Sequence, residues 1–307
     1  MHVLETLMPI FILVTLGAIL KKINFLPEDF FKGINKITFY IGLPALLFHQ
    51  IALAKVEIGD AGKILVSVSF GMTIAIPLGY FIAKLLDLPS RSIGTFIQAC
   101  FRCNMAYVGL PVVLYAFSNN NDTQAGQLAT LAMAPLIPYT NILSIFILAK
   151  STEKKENISS LIWKSIKNPI VVSCIIALPI SYFSLQLPRF FLRSCEALGR
   201  MALPLALLSI GSSLNFEKIK GNINASIIAS IVNVFGLPLF GWIAAKFLNM
   251  NKFEIMIALI LLACPAASSS YIMVQQLGGD ESLAGSSIVI STILSIIPLS
   301  LIVAFFS

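Results

Sequence analysis

Residues 102–111 read RCNMAYVGLP, in the middle of an otherwise apolar stretch from Ser92 to Phe117. A charge, an amide and two helix breakers stand where a greasy helix should run on. Ser92 to Arg102 is ten residues; at about 1.5 Å each a helix covers roughly 15 Å, half a hydrocarbon core of about 30 Å. The interruption therefore falls near mid-depth of a membrane span.

Composition supplies the membrane. The chain has 307 residues, 57% hydrophobic and 11% charged, with mean hydropathy +0.90, against roughly 45–50% apolar and 25% charged in soluble domains. Splitting at charge and turn clusters predicts ten helical spans, at 3–20, 33–53, 64–86, 92–117, 124–149, 168–185, 195–212, 223–247, 254–275 and 284–306. The first ends in Lys21 and Lys22 and carries Glu5 near its start, the reverse of a cleavable leader's charge order, so it reads as a retained span. Glu5 itself reads as interfacially solvated.

The polar loop KSTEKKENISSLIWKSIK, 150–167, divides the spans five and five. Residues 1–150 form one unit, 151–167 a linker and 168–307 a second unit. Counted by alternate sides, the linker's side holds 12 Lys and Arg (Lys21, Lys22, Lys32, Lys84, Arg91, Lys150, Lys154, Lys155, Lys164, Lys167, Lys218, Lys220) and the other side seven (Lys55, Lys63, Arg189, Arg193, Arg200, Lys246, Lys252). The positive-inside rule puts the linker in the cytoplasm and both termini outside. The net charge of +7 is thus topological, at span ends, and argues for no nucleic-acid partner.

Three similarities share one offset. IGLPALLFHQIAL (41–53) resembles MALPLALLSIGSSL (201–214), ACFRCNMAYVGLP (99–111) resembles ACPAASSSYIMV (263–274), and DTQAGQLATLAM (122–133) resembles DESLAGSSIVIS (280–291). Each pair lies five spans apart. An odd offset makes the second copy enter from the opposite side, so the expectation is an all-α, ten-span protein built as a 5+5 inverted repeat.

The fourth and ninth spans are the interrupted pair. Glu254 to Cys264 is again ten residues, and Pro265 then removes a backbone donor. Irregular backbone at that depth is tolerated where it lines a cavity, and each restarting half-helix aims its N–H groups into it. Such a site suits an anion, most simply a carboxylate. Asn104 offers an amide, Gly109 a close approach, and Ser268, Ser269 and Ser270 hydroxyls. Arg102, costly in lipid, reads either as counter-charge to the anion or as a structural partner to carbonyls. Asn141, after Pro135 and Pro138, reaches toward the same place. His49 reads either as a proton relay or as a packing histidine. Asp122, Asp280 and Glu281 read either as helix caps or as groups that couple a cation.

Cys100 and Cys103 form a C-x-x-C without the soluble context of a redox motif, and with His49 alone beside them no metal site is expected. No nucleotide-binding G-x-x-x-x-G-K-[ST] occurs. Paired carboxylates and metal-ligand spacings are missing too, so no enzyme and no cofactor is expected. Coupling to H⁺ or Na⁺ stays open. The alternative to a carrier is an ion or solute channel, which wants a continuous polar path rather than polar groups converging at one level.

At these residues the chain resembles the auxin efflux carrier family, which includes bacterial malonate and malate carriers and plant PIN-type proteins. The match runs essentially end to end. It rests most on N-x-x-x-x-G-x-P, here Asn104, Gly109 and Pro111, with support from LPALLFH around Pro44, ALGRMALPLALLSIG from Ala197, and Pro265. The resemblance implies a scaffold of spans one, two, six and seven and a mobile unit of spans three to five and eight to ten. It also implies broken helices four and nine crossing at the substrate, elevator-like alternating access, and a homodimer. It makes Asn104 the principal ligand, with Pro111 and Pro265 shaping the crossover. Plant members carry proline where Cys103 stands and polar groups near Leu47 and Ala134. Those differences favour a small carboxylate or dicarboxylate, such as malonate or malate, in a bacterial inner membrane over an auxin-like aromatic carboxylate.

Overall fold

The computed structural model describes residues 2–54, 58–117, 123–152, 160, 163, 167–214 and 222–306. Asp122, most of the 151–167 linker and the Glu5 side chain lie outside what is described. The described residues form helices and connections, with no strand among them. In chain order the helices are α1 (His2–Lys22), α2 (Glu28–Ile37), α3 (Leu43–Ala52), α4 (Ile58–Leu85), α5 (Ser90–Phe101), α6 (Leu110–Ala116), α7 (Thr123–Ser151) and α8 (Pro169–Tyr182). They continue as α9 (Arg189–Ser213), α10 (Ile223–Ile231), α11 (Leu237–Phe247), α12 (Lys252–Leu262), α13 (Ser269–Leu277), α14 (Glu281–Leu294) and α15 (Ile296–Phe306).

Four segments are long and apolar enough to cross a membrane: Gly59–Leu85, Gln124–Ser151, Ile223–Phe247 and Glu281–Phe306, of 27, 28, 25 and 26 residues. The ends of helices follow from their polar residues. Asn168, Asn222, Asn251 and Asp280 accept backbone N–H bonds from Ile170, Ala225, Glu254 and Leu283, which caps α8, α10, α12 and α14. Asp280 thus does what its position in the sequence suggested.

Four C-termini close on a left-handed residue, Asn24, Asp87, Ser184 and Asn249. In each, the next amide reaches back to an earlier carbonyl, Phe25 to Leu20, Leu88 to Ala83, Leu185 to Ile180 and Met250 to Ala245. These four turns end α1, α4, α8 and α11.

A Gly-Leu-Pro sequence recurs at 42–44, 109–111 and 236–238. Each time a five-residue π turn precedes it, Thr38–Gly42, Met105–Gly109 and Val232–Gly236, and the leucine amide bonds five residues back, to Thr38, Met105 and Val232. Proline has no N–H to donate and its ring would press on the carbonyl four residues earlier; the wider turn swings that carbonyl aside.

Helices α1, α3, α8 and α9 pack on one another, with α1 on α9 and α3 on both α8 and α9. The α1–α9 contact is backbone-close: a Cβ at Gly17 would collide with the Leu208 carbonyl, and one at Gly211 with that of Val14. A second group centres on α4, which packs against α5, α7, α11 and α12, with α10 on α14 and α5. The groups meet where α7 touches α3 and α8 and where α1 touches α6 and α15.

Inside the second group the chain breaks twice, after Phe101 and after Leu262, and the two breaks cross. Cys103 and Ala266 form an antiparallel bridge. The Asn104 amide donates to the Pro265 carbonyl at 2.8 Å and the Ala267 amide to the Arg102 carbonyl at 3.1 Å. Ala266 donates to Ser291 Oγ at 3.0 Å, and Asn233 Nδ2 reaches the Cys100 carbonyl at 3.5 Å. Each backbone group orphaned away from water would cost several kcal/mol. These bonds satisfy the groups that make them within the protein.

Candidate functional site

The two breaks leave two helix starts at the crossing, at Met105 and at Ser269. Neither has a side-chain cap, in contrast to the Asn- and Asp-capped helices that start elsewhere. Met105, Ala106, Tyr107, Ser268 and Ser269 at these starts line a cavity of about 710 Å³ bounded by α1, α2 and α9 on one side and by the break, α7, α13 and α14 on the other. Its rim carries Lys21, Asn35, Lys36 and Asn168, at the ends of α1, α2 and α8, and Asn168 directly follows the 151–167 linker in sequence.

Arg102 is 6% exposed at the floor of this cavity. Its Nη2 donates to Asn141 Oδ1 at 2.6 Å and to Ser269 Oγ at 3.1 Å, and Nη1 to Met273 Sδ at 2.6 Å. Nη2 is thereby saturated, while Nε–H and one Nη1–H have no partner among the described residues. All three partners are neutral. They come from α7 and α13, so the guanidinium is aimed by the helices that flank the crossing. Arg102 is the C-cap of α5, in an extended conformation at φ −94° and ψ 102°, which turns its side chain away from the helix and toward α13.

Asn104 is 7% exposed and lines the same cavity. Its backbone is fully used, the N–H to Pro265 and the carbonyl accepting from Val108 and Gly109 at 3.1 and 3.2 Å. Its carboxamide has no protein partner among the described residues. Ser268, also on the wall, has an Oγ that is buried and unpaired. Around the cavity stand three cations, Lys21, Lys36 and Arg102, and no Asp or Glu among the described lining residues. A negative solute would meet a guanidinium and a carboxamide there.

The structure therefore brings Arg102, Asn104, Asn141, Ser268 and Ser269 together. It does not bring the other expected site residues to the cavity wall. Gly109 faces the opposite helix, where a Cβ would come within 3.0 Å of Leu261 Cδ2 and 3.1 Å of Cys264 Sγ, so its missing side chain permits the close crossing. Pro111 is buried in α6, and Pro265 contributes its carbonyl to the bridge. Ser270 is buried with its hydroxyl off the cavity, because one residue past Ser269 turns a helix by about 100°. His49 is on α3, beside Glu196 and Arg200 of α9 and away from the crossing.

Other residues enter that sequence reasoning missed. Tyr107, inside the N-x-x-x-x-G-x-P stretch, lines the cavity and donates across it to Asn35 Oδ1 at 3.0 Å. Met273 is one helical turn beyond Ser269, a spacing that places it beside the same guanidinium. Lys36 and Thr140 join from α2 and α7. The five cysteines are free and buried, and the described residues hold no cluster of metal ligands.

A family described as membrane transport protein matches residues 2–303 of the chain. An uncharacterized transporter of Methanocaldococcus jannaschii is 24% identical over 310 aligned residues, covering 97% of each chain. An uncharacterized transporter of Methanothermobacter thermautotrophicus is 22% identical over 299, covering 97% of this chain and 96% of that one.

Proposed function

This chain belongs to the membrane transport protein family, of auxin efflux carrier type, and on that premise we propose that it is a secondary carrier of small organic anions, carboxylates or dicarboxylates of the malonate and malate kind. As a member of a transporter family with apolar spanning helices it is a multi-pass membrane protein. The observation that carries the substrate reading is the buried Arg102, held by neutral partners with N–H groups to spare, in a cavity lined by three cations and no described carboxylate. A bound carboxylate supplies the missing negative charge.

The ten-span inverted repeat is supported by features that recur five spans apart. The breaks in the fourth and ninth spans are one such pair; the left-handed turns ending α1 and α8, and those ending α4 and α11, are two more. Elevator-like access is supported by the two packing groups, with the crossing wholly inside one of them and the cavity between them. In this reading the group around α4 carries the site past the group of α1, α3, α8 and α9. The latter, with α1, α8 and α9 exposing large apolar side chains, is the surface through which two copies would pair in a cell membrane.

The test is flux of radiolabelled malonate, malate and pyruvate in proteoliposomes of the purified protein, with counter-substrate inside. Accumulation of at least one, blocked by an excess of the same unlabelled anion, is expected. Absence of flux for all three would overturn the reading, and conductance that does not saturate would replace a carrier with a channel.

A further inference from the structure

The second packing group holds its charges in an unusual arrangement. Asp60, Lys63, Lys84, Arg91, Lys150, Lys246, Lys252, Asp280 and Glu281 all lie in the first two turns, the last turn or the cap of their helices. Glu254 is likewise in the first turn of α12, where it pairs with Lys63 at 3.5 Å. Helix α13 has no charged residue. Arg102, the C-cap of α5, is then the one described charge of this group that lies at the crossing, and its partners Asn141, Ser269 and Met273 leave it uncompensated. Lys21 and Lys36, which share the cavity, belong to α1 and α2 at the rim.

We propose that Arg102 fixes the electrical charge of the moving unit, so that the empty carrier crosses the membrane field as a cation and the carrier loaded with a monocarboxylate crosses as a neutral complex. This rests on the elevator reading of the site and extends it. Exchange of one monocarboxylate for another then moves no charge in either direction. Net transport must return the empty unit, and that step moves one positive charge. A dicarboxylate leaves the loaded unit with one negative charge, so its exchange feels the field. The same residue that recognises the anion thereby decides which half of the cycle the membrane potential acts on. One elementary charge moved across about 100 mV changes the distribution between the two faces by about 50-fold.

The experiment uses wild-type protein in proteoliposomes with potassium–valinomycin potentials stepped between −100 and +100 mV, values on the order of a cell's own, with labelled pyruvate and labelled malonate as probes. Pyruvate–pyruvate exchange is expected to stay constant across the steps. Pyruvate uptake into empty vesicles should rise several-fold at inside-positive potential, and malonate exchange should vary several-fold. In substrate-free protein on a supported membrane, a voltage step should give a transient current that saturating pyruvate suppresses. Arg102→Gln should lack that transient, whether or not the variant still transports.

Pyruvate exchange that varies with voltage as strongly as malonate exchange would overturn the inference while leaving the carrier reading intact. So would net pyruvate uptake indifferent to voltage, since a co-transported cation would then be neutralising the cycle. No exchange of either probe at any voltage would sink the carrier reading and this inference together.

Discussion

The Arg102 guanidinium donates to Asn141 Oδ1 at 2.6 Å, joining the end of α5 to the middle of α7 across 39 residues of sequence. Asn141 holds the arginine without neutralising it, because an amide oxygen accepts and carries no charge. Asn141→Asp would convert this into a buried ion pair. We expect the variant to fold with unchanged or higher thermal stability while its KM for carboxylates rises more than about tenfold, a loss of about 1.4 kcal/mol in binding. An unchanged KM would mean that the arginine does not bind the solute.

Asn104→Ala removes a carboxamide that has no protein partner, so the fold should lose little and the ligand much. A hydrogen bond to a charged group is worth about 1.5–3 kcal/mol, which predicts a fall in transport efficiency of about 10- to 150-fold with an unaltered melting temperature. Flux assays on reconstituted protein, paired with a thermal-shift measurement in detergent, check both halves of that expectation.

The α1–α9 contact tolerates no side chain at Gly211. Gly211→Ala should destabilise by about 1–3 kcal/mol through overpacking, and the melting temperature in detergent should drop accordingly. Gly33→Ala is the control, since nothing lies within 4 Å of a Cβ there. Equal melting temperatures for the two variants would contradict the close approach.

All five native cysteines are buried, with Cys103 on the cavity wall, so a single introduced thiol is read against the labelling of the parent protein. Ser213→Cys stands on the cavity wall near the rim. A membrane-impermeant thiol reagent applied from the linker face should label it, and saturating carboxylate should slow the labelling. Reaction solely from the opposite face would reverse the cavity's opening.

Much of the crossing was legible because the interruptions are chemical. A charge and Pro265, ten and eleven residues into their apolar runs, admit few readings, and Arg102, Asn104, Asn141, Ser268 and Ser269 do share one cavity. Tyr107, Lys36 and Met273 were not legible, since a cavity between distant segments leaves no local pattern in any of them. Ser270 was misplaced by counting hydroxyls along the chain rather than around the helix. Asp280 was readable as a cap from its position ahead of an apolar run, whereas the three Gly-Leu-Pro π turns stayed hidden, because proline alone does not say whether a helix kinks, ends or widens.

The bridge between Cys103 and Ala266 is made of main-chain atoms. A joint of that kind is indifferent to which side chains surround it, so mutation can replace the groups that greet the cargo without unfastening the joint. Descendants of this architecture are thereby free to change diet while keeping the same hinge-work, and wide divergence in sequence is compatible with one unaltered crossing.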